Sequence, residues 1–398
     1  MSVAPSFAEP DSPTVPPTPD GHPHIVFALL GDVRGSSRAL KQLRVLRALG
    51  LRVEVLLTGA PLGARLGEEL QLDENLRAHI LPNPAGRGPR LFWAAHRQFR
   101  AAALARPAAL YIASDLYTLP GLTEAARHHK ARLVFDSREL YGHLDSTAGR
   151  PWVRAVWQAV ERRFIRRADA VFTVNESIAE RLAQTYAIAP PVVLHNVPER
   201  RTVPRTNRLR EATGFSSTQP IVLYQGGLRE GRGLPALIAA MAQVPGAALA
   251  VVGDGPFEAE ARRLAAPLGE RVRFLGFIPP DDLPIYTAGA DLGTLLIEPL
   301  TESLRLALPN KLFEYLMAEV PVLASPIPEV RRIVDRFDVG LVADPSDAHE
   351  LITALRQGLT DETARARWRA NAPRALDAYA WEHGAARFRQ VILALLAA

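Results

Sequence analysis

Lys311 and Glu314 stand three residues apart in PNKLFEYLMAEVPVLASP, residues 309–326. That spacing puts both on one face of a helix. A helix opening at Pro309 and Asn310 offers free N–H groups and the positive end of its dipole, and the Lys311 ammonium adds a point charge. Together these would hold a diphosphate. Glu314, about one turn (~5 Å) further on, would reach the hydroxyls of an attached ribose. Lysine is rare in this chain: Lys41, Lys130 and Lys311 are the only ones among 47 basic residues. The plainer account of the same pair is a surface salt bridge.

Three glycine turns precede this stretch. After the apolar run IVLYQ comes GGLREGRGL, where Gly226 and Gly227 let backbone approach a ligand and Arg229 and Arg232 would neutralise phosphate. The spacing is neither a Walker loop nor a dinucleotide fingerprint. Gly253 opens GDGP directly after a second apolar run. Gly276 opens GFIP, where the backbone at Phe277 and Ile278 would pair with a base edge. A structural turn is the plainer reading of GDGP and explains the other two turns equally well.

In the first half, HIVFALL runs into Gly31-Asp32, followed by Ser36, Ser37 and Arg38. Asp32 and Arg38 are candidates for binding acceptor hydroxyls or phosphate, and the serines for capping the next helix. LVFDSRELYG places Asp136, Arg138 and Glu139 after another apolar run, and Asn175-Glu176-Ser177 reads as a helix start.

The elements that must position these residues follow from hydrophobic patterning. Runs rich in Val, Ile and Leu occur at 24–30, 52–57, 109–113, 132–135, 170–174 and 192–194, then at 221–225, 248–253, 272–276, 292–297, 321–324 and 340–343. Such runs suit strands buried on both faces, and the amphipathic stretches between them suit covering helices. The alternation predicts an α/β fold of two doubly wound, Rossmann-like domains with ligands at the strand carboxyl ends. A polar, Pro- and Arg-containing linker at 196–206 divides them. The expected organisation is a disordered leader at 1–21, a first Rossmann-like domain at 22–203, a second at 204–378 and a C-terminal helix at 379–398.

Composition narrows the function. With no cysteine, disulfides, thiolate metal sites and cysteine nucleophiles are excluded. The histidines and carboxylates show no ligand spacing, which predicts no protein-bound metal. No run of eighteen apolar residues exists, and the leader has no secretory pattern. A cytoplasmic location is expected. The net charge of +5 favours anionic partners, but no zinc or RNA-recognition pattern points to nucleic acid. Two basic stretches also carry aromatics: Phe92, Trp93 and Phe99 within 87–106, and Trp152 and Trp157 within 150–167. Such helices suit peripheral contact with an anionic membrane, and equally suit core packing with solvated arginine faces.

The order of glycine turn with basic residues, GDGP, FLGF and PNKLFEYLMAEVPVLAS resembles the retaining glycosyltransferases of family four, over roughly residues 24–395. The resemblance implies the GT-B fold, two Rossmann-like domains facing across a cleft, with a nucleotide-diphosphate sugar as co-substrate and no cofactor. It implies that 22–203 is the acceptor-side domain and that 204–378 binds the donor nucleotide. It implies transfer with retention to a glycan, lipid-linked or small-molecule acceptor. Arg232 would hold the donor diphosphate, Lys311 would lie among the groups around it, and Glu314 would bind the ribose. Arg232, Lys311 and Glu139 are the candidate catalytic groups. Gly226, Gly227, Arg229, Gly253, Phe277, Ile278, Asn310 and Glu314 complete the donor side, and Asp32, Arg38, Asp136 and Arg138 form the acceptor side. The sequence departs from the family pattern at Leu306, where a first glutamate is usual, at Gly227, where arginine is common, and at Arg138, where histidine is usual. A non-catalytic binding subunit and a sugar-nucleotide epimerase on the same fold are the alternatives.

Overall fold

A computed structural model describes residues 24–33, 36–59, 73–86, 88–143 and 150–398. The leader expected at 1–21 lies outside them. Among the described residues thirteen strands form two sheets, and the strand pairs in them run parallel. In the first sheet, β1 (Ile25–Leu29), β2 (Val53–Thr58), β3 (Leu76–Leu81), β4 (Leu110–Ala113), β5 (Arg132–Asp136), β6 (Ala170–Thr173) and β7 (Val192–Val193) run in the order β3-β2-β1-β4-β5-β6-β7. The second sheet comprises β8 (Ile221–Gln225), β9 (Ala248–Val252), β10 (Val272–Gly276), β11 (Leu292–Leu295), β12 (Val322–Ala324) and β13 (Gly340–Val342), in the order β10-β9-β8-β11-β12-β13.

Every expected apolar run supplies a strand. β1, β8 and β9 are buried along their whole length because helices cover both faces. β3, LRAHIL, was not among the expected runs. It lies at the sheet edge, where only Leu76 is fully buried and Arg77 and His79 are tolerated.

Strand order reverses between β1 and β4 in the first sheet and between β8 and β11 in the second. At such a switch point the loops beyond the strand carboxyl ends diverge and leave a crevice. That directs attention to the loops after β1, β4 and β5, and to those after β8, β9 and β11.

Packing groups the chain into two compact units. Of the described residues, one holds those up to Arg138, Arg162–Phe172 and Ala385–Ala398; the other holds those within Glu139–Glu161 and Thr173–Gly384. The last helix is Trp381–Ala397, and within the first unit its Phe388 packs on Phe172 at 5.3 Å between ring centroids.

Candidate donor and acceptor sites

In the second unit the three glycine turns are stitched together by backbone. Gly226 N donates to Val252 O (2.9 Å), Gly253 N to Gly276 O (2.7 Å), and Leu228 N to Asp254 O (2.7 Å). Gly253 has φ +129°, and a Cβ there would lie 2.0 Å from Gly226 O, so only glycine fits. The adjacent exposed pair Gly226-Gly227 therefore rests on a fixed floor.

The helix Asn310–Met317 begins beside this floor. Pro309 precedes it in extended conformation, and no side chain caps its first turn. Lys311 Nζ lies 4.8 Å from the centroid of the Tyr224 ring. Burial, then the Arg232 charge, push the Lys311 ammonium down to about 8, while Glu314 opposes the shift. Among the described residues neither Lys311 nor Arg232 has a carboxylate within ion-pair distance. Two cations in Coulombic range of each other, at an uncapped helix start, mark a place for an anion.

Glu314 is held differently. Gln225 Nε2 donates to its Oε2 at 2.6 Å, and the Thr287 hydroxyl lies 2.8 Å from Gln225 Oε1. Burial raises the Glu314 carboxyl above its usual range against this hydrogen bond and the Lys311 charge. The Tyr315 hydroxyl is buried among Gln225 N, Leu223 O and Thr294 O at 3.1–3.2 Å, which locks the helix onto β8 and β11. Arg229 is exposed near Gly227, Phe277 is 65% exposed after β10, and Ile278 packs partly against the core. Asn310 is half-buried at the helix start.

Leu306, where the resemblance places a first glutamate, is buried, and its carbonyl accepts from Asn175 Nδ2 at 2.8 Å. Glu302 does not replace that glutamate. It is bound to Arg305 and Arg181, and the hydrogen bond from Arg305, with Arg181 next, holds its carboxyl down at about 2 against its partial burial.

The first unit is built to another plan. Arg38 and Asp136, expected as acceptor ligands, form an internal ion pair with only 2% and 0% of their side chains exposed. Arg38 Nε donates to Asp136 Oδ2 at 2.8 Å and its Nη2 to Oδ1 at 2.6 Å, while Gln42 Nε2 adds a 2.9 Å bond. Burial alone would raise Asp136; the Arg38 charge and hydrogen bonds, and then Arg138, hold it below the usual carboxylate range. The pair is satisfied from within, so in this structure each side chain serves to hold the other. Arg138 donates to Ser36 Oγ at 2.6 Å and to Ser114 Oγ, tying the loops after β1, β4 and β5 together. Ser36 also caps the helix Ser37–Ala48 through Ala39 N.

Asp115 was not anticipated. It accepts from Leu30 N (2.7 Å) and Thr118 N (2.9 Å), which fixes the strand end next to half-buried Asp32. The only sequence signal was a polar Ser-Asp pair closing the run LYIA. Glu139 is exposed, just beyond β5 in the other unit. Among the described residues no cluster of three or more His, Asp or Glu is placed to hold a metal, and no helix is long and apolar enough to cross a membrane.

Two family models match in sequence, a glycosyl transferase 4-like domain over residues 35–199 and glycosyl transferases group 1 over residues 205–375. The chain belongs to the group 1 glycosyltransferases. It is 30% identical over 248 residues to a GDP-mannose-dependent alpha-(1-6)-phosphatidylinositol monomannoside mannosyltransferase of Mycolicibacterium smegmatis, covering 58% of this chain and 64% of that one. It is 28% identical over 217 residues to the 2-deoxystreptamine glucosyltransferase of Streptomyces kanamyceticus, covering 51% and 54%. The chain spans about half to two-thirds of the length of the curated relatives it matches.

Solved structures share the fold over nearly the whole chain. Anabaena Alr3699/HepE, solved with UDP and glucose, aligns with a TM-score of 0.72 at 20% identity, over 93% of this chain and 99% of that one. Sucrose-phosphate synthase of Thermosynechococcus elongatus aligns at 0.73 and 22% identity, over 94% and 99%. The fold is therefore GT-B.

Proposed function

We propose that this group 1 glycosyltransferase moves a sugar from a nucleotide-diphosphate sugar to a glycan, lipid-linked or small-molecule acceptor with retention of configuration. The observation that carries the reading is the unpaired couple Arg232 and Lys311 at the uncapped start of helix Asn310–Met317. As the glycosidic bond to phosphate breaks, negative charge grows on the leaving diphosphate. Two fixed cations and helix N–H groups in a partly dehydrated site stabilise that charge. Gly226 and Gly227 let the diphosphate approach the backbone, and Arg229 adds charge at the rim. Gly253 keeps the floor flat. Phe277 and Ile278 receive the base, and Asn310 and Glu314 the phosphate and ribose. On the acceptor side the proposal keeps Asp32 and Arg138 near the acceptor. It gives Glu139 the task of binding the acceptor or steadying the reacting sugar. The names of the two relatives include phosphatidylinositol monomannoside, 2-deoxystreptamine and GDP-mannose, which supports the class of reaction and not one substrate.

Differential scanning fluorimetry with nucleoside diphosphates and their sugars, followed by transfer assays with the stabilising donor, tests this. A donor that stabilises the protein and is consumed only with acceptor supports it; a flat response across the panel overturns it. Buried, apolar Leu306 favours a second reading, a subunit that binds donor without turnover, which predicts stabilisation but no transfer.

The proposal extends to a peripheral contact with anionic membrane. Helix Pro89–Leu104 turns Arg90, Trp93, Arg97 and Arg100 outward at spacings of three, four and three, with Trp93 60% exposed. An amphipathic aromatic ring among cations suits a headgroup layer. Flotation with phosphatidylglycerol vesicles at moderate salt is expected to carry the wild type and leave Trp93→Ala/Arg97→Glu behind. Wild type left behind would remove the membrane from the proposal.

A further inference from the structure

Tyr224 is a side chain that neither the expected site nor the proposed chemistry uses. It is the penultimate residue of β8 and is 1% exposed, yet it touches both halves of the proposed diphosphate site. Its hydroxyl donates to Gly227 O at 3.1 Å, which sets the orientation of the glycine turn after β8. Its ring face lies under Lys311 Nζ at 4.8 Å, within cation–π range, and Arg232 is close enough to act on it electrostatically. Burial pushes its phenol up to about 12, so it remains a neutral donor at any working pH.

A half-buried lysine with no carboxylate within ion-pair distance among the described residues needs something to fix where its ammonium points. Four rotatable bonds leave it free to turn away, and rotamer freedom of a long side chain is costly to restrain. The aromatic face supplies a restraint that, unlike a carboxylate, leaves the full positive charge for an incoming anion. The same residue fixes the carbonyl of Gly227, so the peptide that the phosphate must approach is held by the group that holds the lysine.

We propose that Tyr224 is the positioning residue of the diphosphate subsite, aligning Lys311 and the Gly226-Gly227 turn through one side chain. This rests on the donor-site reading above and adds a specific division of labour within it. Tyr224→Phe keeps the ring and loses the Gly227 bond; Tyr224→Leu loses both.

The test measures binding of inorganic pyrophosphate, UDP, GDP and ADP, and of the matching nucleosides, by calorimetry, with melting curves of every variant. Tyr224→Phe is expected to weaken binding of diphosphates by about 2- to 10-fold. Tyr224→Leu is expected to weaken it by a further factor of about 2 to 10. Any nucleoside that binds should do so unchanged. In a Lys311→Ala background, the additional loss from Tyr224→Leu over Tyr224→Phe should vanish, which general loosening of the core would not produce. If wild type binds none of the four diphosphate probes, the donor-site reading itself fails. If wild type binds and Tyr224→Phe matches it, or the leucine variant loses as much without Lys311 as with it, the positioning role is overturned.

Discussion

The two sheets end in loops of similar placement and opposite electrostatic design. Beyond β1, β4 and β5, Arg38 and Asp136 satisfy one another in the dark of the core, and Arg138 is divided between two serine hydroxyls. Beyond β8 and β11, Arg232 and Lys311 are left without carboxylates, and Lys311 is partly dehydrated at a cost in its own proton affinity. The difference separates charge that closes a structure from charge held ready for a ligand. A buried ion pair contributes little unless complete, whereas an unpaired cation is retained at a standing cost because something else will neutralise it.

Three measurements would break or sharpen that contrast. The largest effect is expected from Asp136→Ala, which strands Arg38 in the interior. Unfolding free energy by urea titration should fall by about 3–5 kcal/mol, and an unchanged midpoint would mean the pair is not closed.

Next come Arg232→Ala and Lys311→Ala. Each should leave the unfolding free energy from urea titration within about 1 kcal/mol of wild type, because no ion pair is broken. Each should weaken nucleoside diphosphate binding by roughly 10- to 100-fold. A stability loss like that of Asp136→Ala would erase the distinction.

The smallest effect is a pH dependence. Lys311 titrates at about 8 in the folded protein instead of 10.5. Between those values the folded chain binds fewer protons than the unfolded one, so Lys311 costs stability below about pH 8 and the cost fades as pH rises. A bound diphosphate favours the charged form, so affinity should hold below pH 8. Above it, affinity should fall by up to about tenfold per pH unit. Lys311→Arg should flatten the profile over pH 7–10; a wild-type profile already flat there would contradict the shifted ammonium.

Much of this was legible from the chain. Short apolar runs of three to seven residues announced twelve of the strands, because a strand covered on both faces is mostly apolar and carries charge only where a partner meets it, as at Asp136. β3 was hidden because an edge strand can carry charge, as Arg77 and His79 show. The caps at Ser36 and Asn175 were readable since a cap bonds a residue only three positions away. Lys311 and Glu314 stood out by helical spacing and by the scarcity of lysine. The closure of Arg38 on Asp136 was not readable: the two lie 98 residues apart, and nothing local shows that each finds its partner. Tyr224 and Gln225 were overlooked for the opposite reason. They looked like ordinary strand residues, and only the docking of helix Asn310–Met317 onto β8 reveals that one underlies the lysine and the other holds the glutamate.

The shifted Lys311 also makes the protein chemically addressable. At pH 8 about half of its side chains would be free amine, whereas an ordinary lysine would be well under about 1% free. Lys41 is buried, and Lys130 closes a helix in the left-handed conformation. An amine-directed acylating reagent of modest size, used briefly at pH 8, would therefore find a reactive amine at half-exposed Lys311. Shielding of that one peptide by a candidate donor would report occupancy without any assay of turnover.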